Sequence, residues 1–189
     1  MICGQCDCMR TNPMEYPRFH DLNLKLLDKW MESVEKYKED CGINNFQYQW
    51  PKQYGWEELR IKKFRVDSNK GHGLDLHTDV YSYAHAKRFL CLMVYLNDDF
   101  TAGETFFPLM GAKVQPKKGR LFIFPPSWNY LHQGIPPQPP SNNGAKYFIM
   151  THLVYVDKKE KVNVGVDFSS RAKVARDEEH AKLEGEYAK

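Results

Sequence analysis

Residues 87–97 read KRFLCLMVYLN. The run FLCLMVYL inside it is apolar at every position, so both faces of an extended strand would carry apolar side chains. That predicts a central strand covered on each side. Successive side chains alternate, so Cys91, Met93 and Tyr95 share one face and Leu90, Leu92 and Val94 share the other. Outward from this strand, short apolar runs are separated by turn signals. Candidate strands before it are 46–50 (FQYQW), 58–66 (ELRIKKFRV) and 73–79 (GLDLHTD). Those after it are 104–109 (ETFFPL), 112–116 (AKVQP), 120–124 (RLFIF), 130–134 (YLHQG) and 145–156 (AKYFIMTHLVYV). Turns are expected at DSNKG, NDDFTAG, PKKG and PPQPPSNNG. Strands at this spacing are typical of an all-β sandwich or barrel.

The periodicity differs upstream. Leu22, Leu26, Leu27, Trp30, Met31, Val34 and Tyr37 recur at three- and four-residue steps, which predicts a helix over 21–41 with one apolar stripe. Asp21 can cap its start and Gly42 can end it. The expected organisation is an N-terminal tail (1–20), one domain over 21–156 with its β core at 44–156, and a charged C-terminal appendage (157–189). Aromatic residues make up 14% of the chain and gather in the middle, which favours the β reading.

Several classes are disfavoured. A net charge of +3 does not announce a basic face for nucleic acid. No apolar run reaches the length of a membrane span, and MICGQCDCMR lacks the order of a signal peptide. A soluble cytoplasmic protein is expected. Five cysteines without a secretory signal argue against a disulfide framework. Cys3, Cys6 and Cys8 cluster, but a structural zinc site wants four ligands, so reduced thiols in a tail are expected.

The chemistry is expected in GLDLHTD. His77 and Asp79 are two positions apart, so in a strand both side chains point the same way. His132 lies 55 positions beyond His77 in YLHQG. Two histidines and one carboxylate on one side of a metal leave other positions open, a set that suits non-haem Fe(II) activating oxygen. Lys146 opens the last long strand. Buried there it would need an anionic partner; at the strand mouth it would sit in water.

In the order HTD, KRFLCLMVYLND, AGETFFP, QPKKGRLFIF, LHQG and AKYFIMT, residues 58–156 resemble the catalytic domain of prolyl 4-hydroxylases, which are Fe(II)/2-oxoglutarate-dependent dioxygenases. The resemblance implies a double-stranded β-helix, a jelly-roll or cupin-like barrel with helices packed outside. It implies that His77, Asp79 and His132 are the iron ligands. It matches Lys146 to the basic residue that pairs with the distal carboxylate of 2-oxoglutarate, and Tyr95 to a tyrosine that hydrogen-bonds the same carboxylate. The implied cofactors are Fe(II), 2-oxoglutarate and O2, with ascorbate as a candidate reductant. The implied reaction hydroxylates a C–H bond, of a prolyl residue in a peptide or protein, and releases succinate and CO2. A free amino acid, another small molecule or a nucleobase is the alternative substrate, and a non-catalytic β-barrel binding module is the alternative class.

The chain departs from the family at two points. Phe64 stands where many members have a tyrosine, and PPQPPSNN lengthens the gap from His132 to Lys146. Among other residues, Arg88 is expected as a solvated charge and His85 in a polar loop. His152 is expected as a satisfied structural histidine, on the face of Lys146 by parity.

Overall fold

The computed structural model describes residues 18, 20–45, 49–66, 72–142 and 144–156. The cysteine cluster at 3–8, the first part of the candidate strand 46–50, the turn at 67–71 and the appendage 157–189 lie outside the described residues.

The helix is there. Helix α1 runs His20–Asp40, with Asp21 inside its first turn rather than capping it. It ends where Gly42 turns left-handed (φ 66°), and the Gly42 amide donates to the Glu39 carbonyl at 2.9 Å. A glycine takes that conformation without a steric penalty.

The strands follow in chain order: β1 Tyr54–Trp56, β2 Arg60–Arg65, β3 Leu74–His77, β4 Arg88–Tyr95, β5 Thr101–Ala102, β6 Thr105–Phe107, β7 Ala112–Val114, β8 Leu121–Phe124, β9 His132–Gly134, β10 Pro137–Gln138 and β11 Ala145–Tyr155. In the larger sheet β11 pairs with β4, and β4 with β8, all antiparallel. The other edge of β11 is shared, by β2 along its first half and by β1 along its end. The second sheet has the order β3-β9-β6-β7. From β2 to β11 the chain passes back and forth between the sheets, pausing only for the β6–β7 hairpin. That alternation is the winding of a double-stranded β-helix. Among the described residues the two sheets share no ladder, so the barrel is a two-sheet jelly roll.

Strand β4 is central, as its composition predicts. Leu90, Leu92 and Val94 pack with Ile149 and Leu153 against Leu27, Trp30 and Val34 of α1. Cys91, Met93 and Tyr95 face inward with Phe148 and Met150, and meet Phe107 from the second sheet. A helix therefore seals one face of the large sheet while the other face looks into the space between the sheets.

Three expectations fail locally. Residues 49–50 form a bend rather than a strand, and Trp50 packs edge-on against Tyr54 and Phe89. The expected turns NDDFTAG and PPQPPSNNG each contain a short strand: β5 and β10 pair with each other, Pro137 opposite Ala102. Proline is tolerated because a two-strand ribbon is all edge. Strand β1 (YGW) is added to the large sheet without any alternation in its sequence. No helix of the described residues is long and apolar enough to cross a membrane.

Candidate metal centre and the pocket beside it

His77 ends β3 and His132 begins β9, and the two are direct cross-strand partners. They become so through a register shift between Leu74 and His77: Leu74 opposes Gly134, but His77 opposes His132. Unbroken pairing from Leu74 would set His77 opposite Leu131 and turn His132 to the other face. One extra residue in the strand corrects this. The two rings lie 4.3 Å apart, centroid to centroid. Asp79 follows two residues after the strand ends.

The donor atoms converge. His77 Nε2 is 3.6 Å from Asp79 Oδ1, and His132 Nε2 is 4.0 Å from Asp79 Oδ2. All three ligand atoms lie within 4.8 Å of one another. Each imidazole donates from Nδ1 to a backbone carbonyl, His77 to Asp75 at 2.6 Å and His132 to Tyr130 at 3.0 Å. A carbonyl only accepts, so the proton sits on Nδ1 and the lone pair on Nε2 is free. Burial pushes His132 below its ordinary value, which keeps it neutral. Burial alone would raise the Asp79 carboxyl; the hydrogen bond from His152 and the neighbouring His77 ring outweigh it and hold the group well below the carboxylate range. Two nitrogen lone pairs and a carboxylate oxygen at these separations fit a divalent ion held by bonds of about 2.0–2.2 Å.

A second group, Asp79, Cys91 and His152, is equally close-set and wholly buried, but its chemistry is wrong for a metal. His152 points Nε2 at Asp79 Oδ2 (3.1 Å) and Nδ1 at Glu57 Oε2 (3.2 Å). Both nitrogens face acceptors, so neither offers a lone pair. Burial pushes the Cys91 thiol well above its ordinary range, so it stays protonated. This trio supports the metal group instead. Behind it, Arg88 donates to Glu57 Oε1 (2.7 Å) and to the Asp79 carbonyl (2.9 Å). Arg88 is 9% exposed, so its expected place in water is wrong. Burial would raise Glu57; the hydrogen bonds from His152 and Arg88 bring it to about 2.

A cleft lies next to the histidines. His77, Asp79 and His132 line one end and Lys146 the other, with Phe64, Phe148, Met93 and Met150 between. Lys146 is 1% exposed, which removes the reading that leaves it in water. Its ammonium donates to the Gly103 carbonyl at 2.6 Å and lies 5.1–5.4 Å from the ring centroids of Tyr95, Phe148 and Phe64. That carbonyl is delivered by a left-handed Gly103 (φ 81°), where a Cβ would stand 2.7 Å from the Phe100 ring. Burial drives Lys146 down to about 7, against the weaker upward pull of Glu104.

Tyr95 reaches the same end less directly. Its hydroxyl lies 2.8 Å from Thr105 Oγ1 and donates to the Val114 carbonyl at 3.3 Å. Thr105, not the Tyr95 hydroxyl, lines the cleft. Burial raises the Tyr95 phenol to about 12, so it stays a neutral hydroxyl.

Sequence reasoning missed Lys62, Thr105, Glu57 and the role of Arg88. Lys62 was legible by parity, two positions before Phe64 on β2. Glu57 carries no pattern in its neighbourhood that marks it.

Residues 62–155 match the family model of the 2OG-Fe(II) oxygenase superfamily. The chain is 36% identical over 58 residues to the "Putative prolyl 4-hydroxylase" of Acanthamoeba polyphaga mimivirus, a match that spans 26% of this chain and 24% of that protein. It is also similar to the crystal structure of the viral collagen prolyl hydroxylase of Paramecium Bursaria Chlorella virus-1 in its 2OG complex. That likeness has a TM-score of 0.53 at 22% identity and covers 70% of this chain and 74% of the other. At such identity it bears on the fold alone, and it agrees with the jelly roll described above.

Proposed function

The chain carries a 2OG-Fe(II) oxygenase domain, an enzyme domain whose cofactors are Fe(II), 2-oxoglutarate and O2, and from that premise we propose that it hydroxylates a C–H bond of a prolyl residue in a peptide or protein. The observation that carries the reading is one cleft with two histidines and a carboxylate at one end and a buried lysine at the other. The mimivirus relative bears the name of a prolyl 4-hydroxylase, which favours the prolyl substrate.

His77 and His132 would hold the iron through Nε2 and Asp79 through a carboxylate oxygen. When bound, iron supplies the activation of O2 that side chains cannot, coupled to conversion of 2-oxoglutarate to succinate and CO2. The side chains position and shield. Lys146 takes the distal carboxylate of 2-oxoglutarate in a charge-assisted hydrogen bond, worth about 1.5–3 kcal/mol. Gly103 keeps that ammonium aimed, and Thr105, oriented by Tyr95, supplies a hydroxyl beside it. Phe64, Phe148, Met93 and Met150 exclude water from the path between Lys146 and the histidines, which strengthens both polar ends. His152 occupies one side of the Asp79 carboxylate and keeps it from rotating.

The test is Fe(II)-dependent release of succinate from 2-oxoglutarate, with proline-containing peptides screened for the mass gain of one oxygen atom. Wild type should show the visible charge-transfer band of iron with 2-oxoglutarate under anaerobic conditions, and Asp79→Ala should abolish it. A band indifferent to that substitution removes Asp79 from the site.

A further inference from the structure

Lys62 has no place in the assignments above. It lies on the inward face of β2, opposite Phe148 in the ladder with β11, and lines the cleft together with His77, Asp79, His132 and Lys146. Its ammonium is 6.0 Å from the Phe148 ring centroid. Among the described residues it makes no hydrogen bond and no ion pair, unlike Arg60, Arg88 and Lys146 around it. Arg60 is tied to Glu57, Arg88 to Glu57 and Asp79, and Lys146 to Gly103. Burial lowers its proton affinity, and the only carboxylate that pulls the other way is Asp79. Asp79 is already engaged by His152 through Oδ2, and its carboxylate faces the Nε2 atoms of His77 and His132 as a metal ligand would.

Lys62 is the cleft ammonium without a partner: Asp79 would serve the iron, and Lys146 already has the Gly103 carbonyl and the attraction of Glu104. A half-buried ammonium without a partner in that position favours an anionic neighbour over a neutral or cationic one.

We propose that Lys62 is a specificity-determining residue that takes a carboxylate of the substrate to be hydroxylated. The substrate then presents an anion close to the reacting carbon: a free or C-terminal amino acid, or a residue flanked by an acidic side chain. This rests on the oxygenase reading and narrows it, because a neutral internal prolyl residue offers Lys62 nothing.

The experiment titrates the anaerobic protein, loaded with Fe(II) and 2-oxoglutarate, and follows the visible band. The probes are N-acetyl-L-proline against its amide, and proline peptides flanked by Glu against the same peptides flanked by Gln. The first pair detects a terminal carboxylate and the second an acidic side chain. Wild type should respond to the carboxylate member of one pair at a concentration lower by about tenfold or more, the scale of a charge-assisted hydrogen bond. Lys62→Met should lose that preference while its affinity for 2-oxoglutarate changes less than about threefold, and Lys62→Arg should retain the preference. Equal responses of wild type to both members of both pairs, including none, overturn the proposal. So does a Lys62→Met variant that keeps the preference but binds 2-oxoglutarate tenfold more weakly, which would give Lys62 to the co-substrate. A wild-type protein that shows no band with 2-oxoglutarate defeats the oxygenase reading instead, and the two failures are thus separable.

Discussion

His152 Nε2 donates to Asp79 Oδ2 at 3.1 Å, across 73 residues of sequence. The same ring reaches Glu57 at 3.2 Å, so one buried imidazole joins the buried Asp79 carboxylate to the half-buried Glu57 carboxylate. Asp79 cannot turn freely toward a metal while its second oxygen is held, and that restraint presents the first oxygen in a fixed direction.

Replacing His152 with Leu leaves the buried Asp79 and the half-buried Glu57 carboxylates short of a donor. Removing one partner of a buried ionic network costs about 3–5 kcal/mol. Loss of an outer partner of a metal ligand weakens metal binding by about ten- to a hundredfold. Urea denaturation should show the first effect and competition with a chelator for Fe(II) the second. Unchanged iron affinity in a folded His152→Leu protein would mean that the bond does not orient Asp79.

Lys146 sets a pH dependence with a definite sign. Its folded value is about 7, below the ordinary 10.5. Between those values the unfolded chain holds more protons, so this residue's contribution to stability rises as pH climbs through the window and is flat below 7. A dicarboxylate needs the protonated form. At pH 8 binding of 2-oxoglutarate should therefore take up close to one proton, and affinity should fall by about tenfold per pH unit above 7. Calorimetry in two buffers of different ionisation enthalpy reads the proton uptake directly. Lys146→Met should abolish the uptake and weaken binding by about ten- to a hundredfold.

Tyr95 and Thr105 should act as a unit, because the 2.8 Å hydrogen bond between their hydroxyls joins the phenol to the cleft. Thr105→Val and Tyr95→Phe should each destabilise by about 1 kcal/mol and weaken 2-oxoglutarate by a few-fold. The double variant should be little worse than either alone. Additive losses in affinity would instead show that the two hydroxyls contact the co-substrate separately.

Trp30 anchors α1 on the outer face, 1% exposed and 6.1 Å from the Trp56 ring. Trp30→Ala should cost about 3–5 kcal/mol in chemical denaturation. The site lies on the opposite face of the sheet, so iron affinity at low denaturant should be unchanged. A parallel loss of iron affinity would show that helix packing sets the position of β4.

Much of the fold was written in local patterns. The apolar run FLCLMVY reads as a covered strand, its alternation naming the sides that face α1 and the cleft, while the Leu96 that follows lies past the strand and is exposed. The helix period of Leu27, Trp30 and Val34 was equally plain. By contrast, β5 and β10 are two residues each and pair only because the chain brings them together. No period exists in two residues, so the turn signals around them misled.

Local sequence supplies the kinds of group available: His77, His132 and Lys146 in strands of readable phase, and Asp79 two residues past one. Tertiary structure alone decided which of them meet. The register shift after Leu74 puts His132 on the face of His77, and nothing in YLHQG announces it. Arg88 reads as a solvated charge and Lys62 carries no mark of its own, yet one is buried under Asp79 and the other lines the cleft. Side-chain periodicity is a property of a few consecutive residues, whereas a pairing between strands and the solvent left to a charge depend on where distant segments pack.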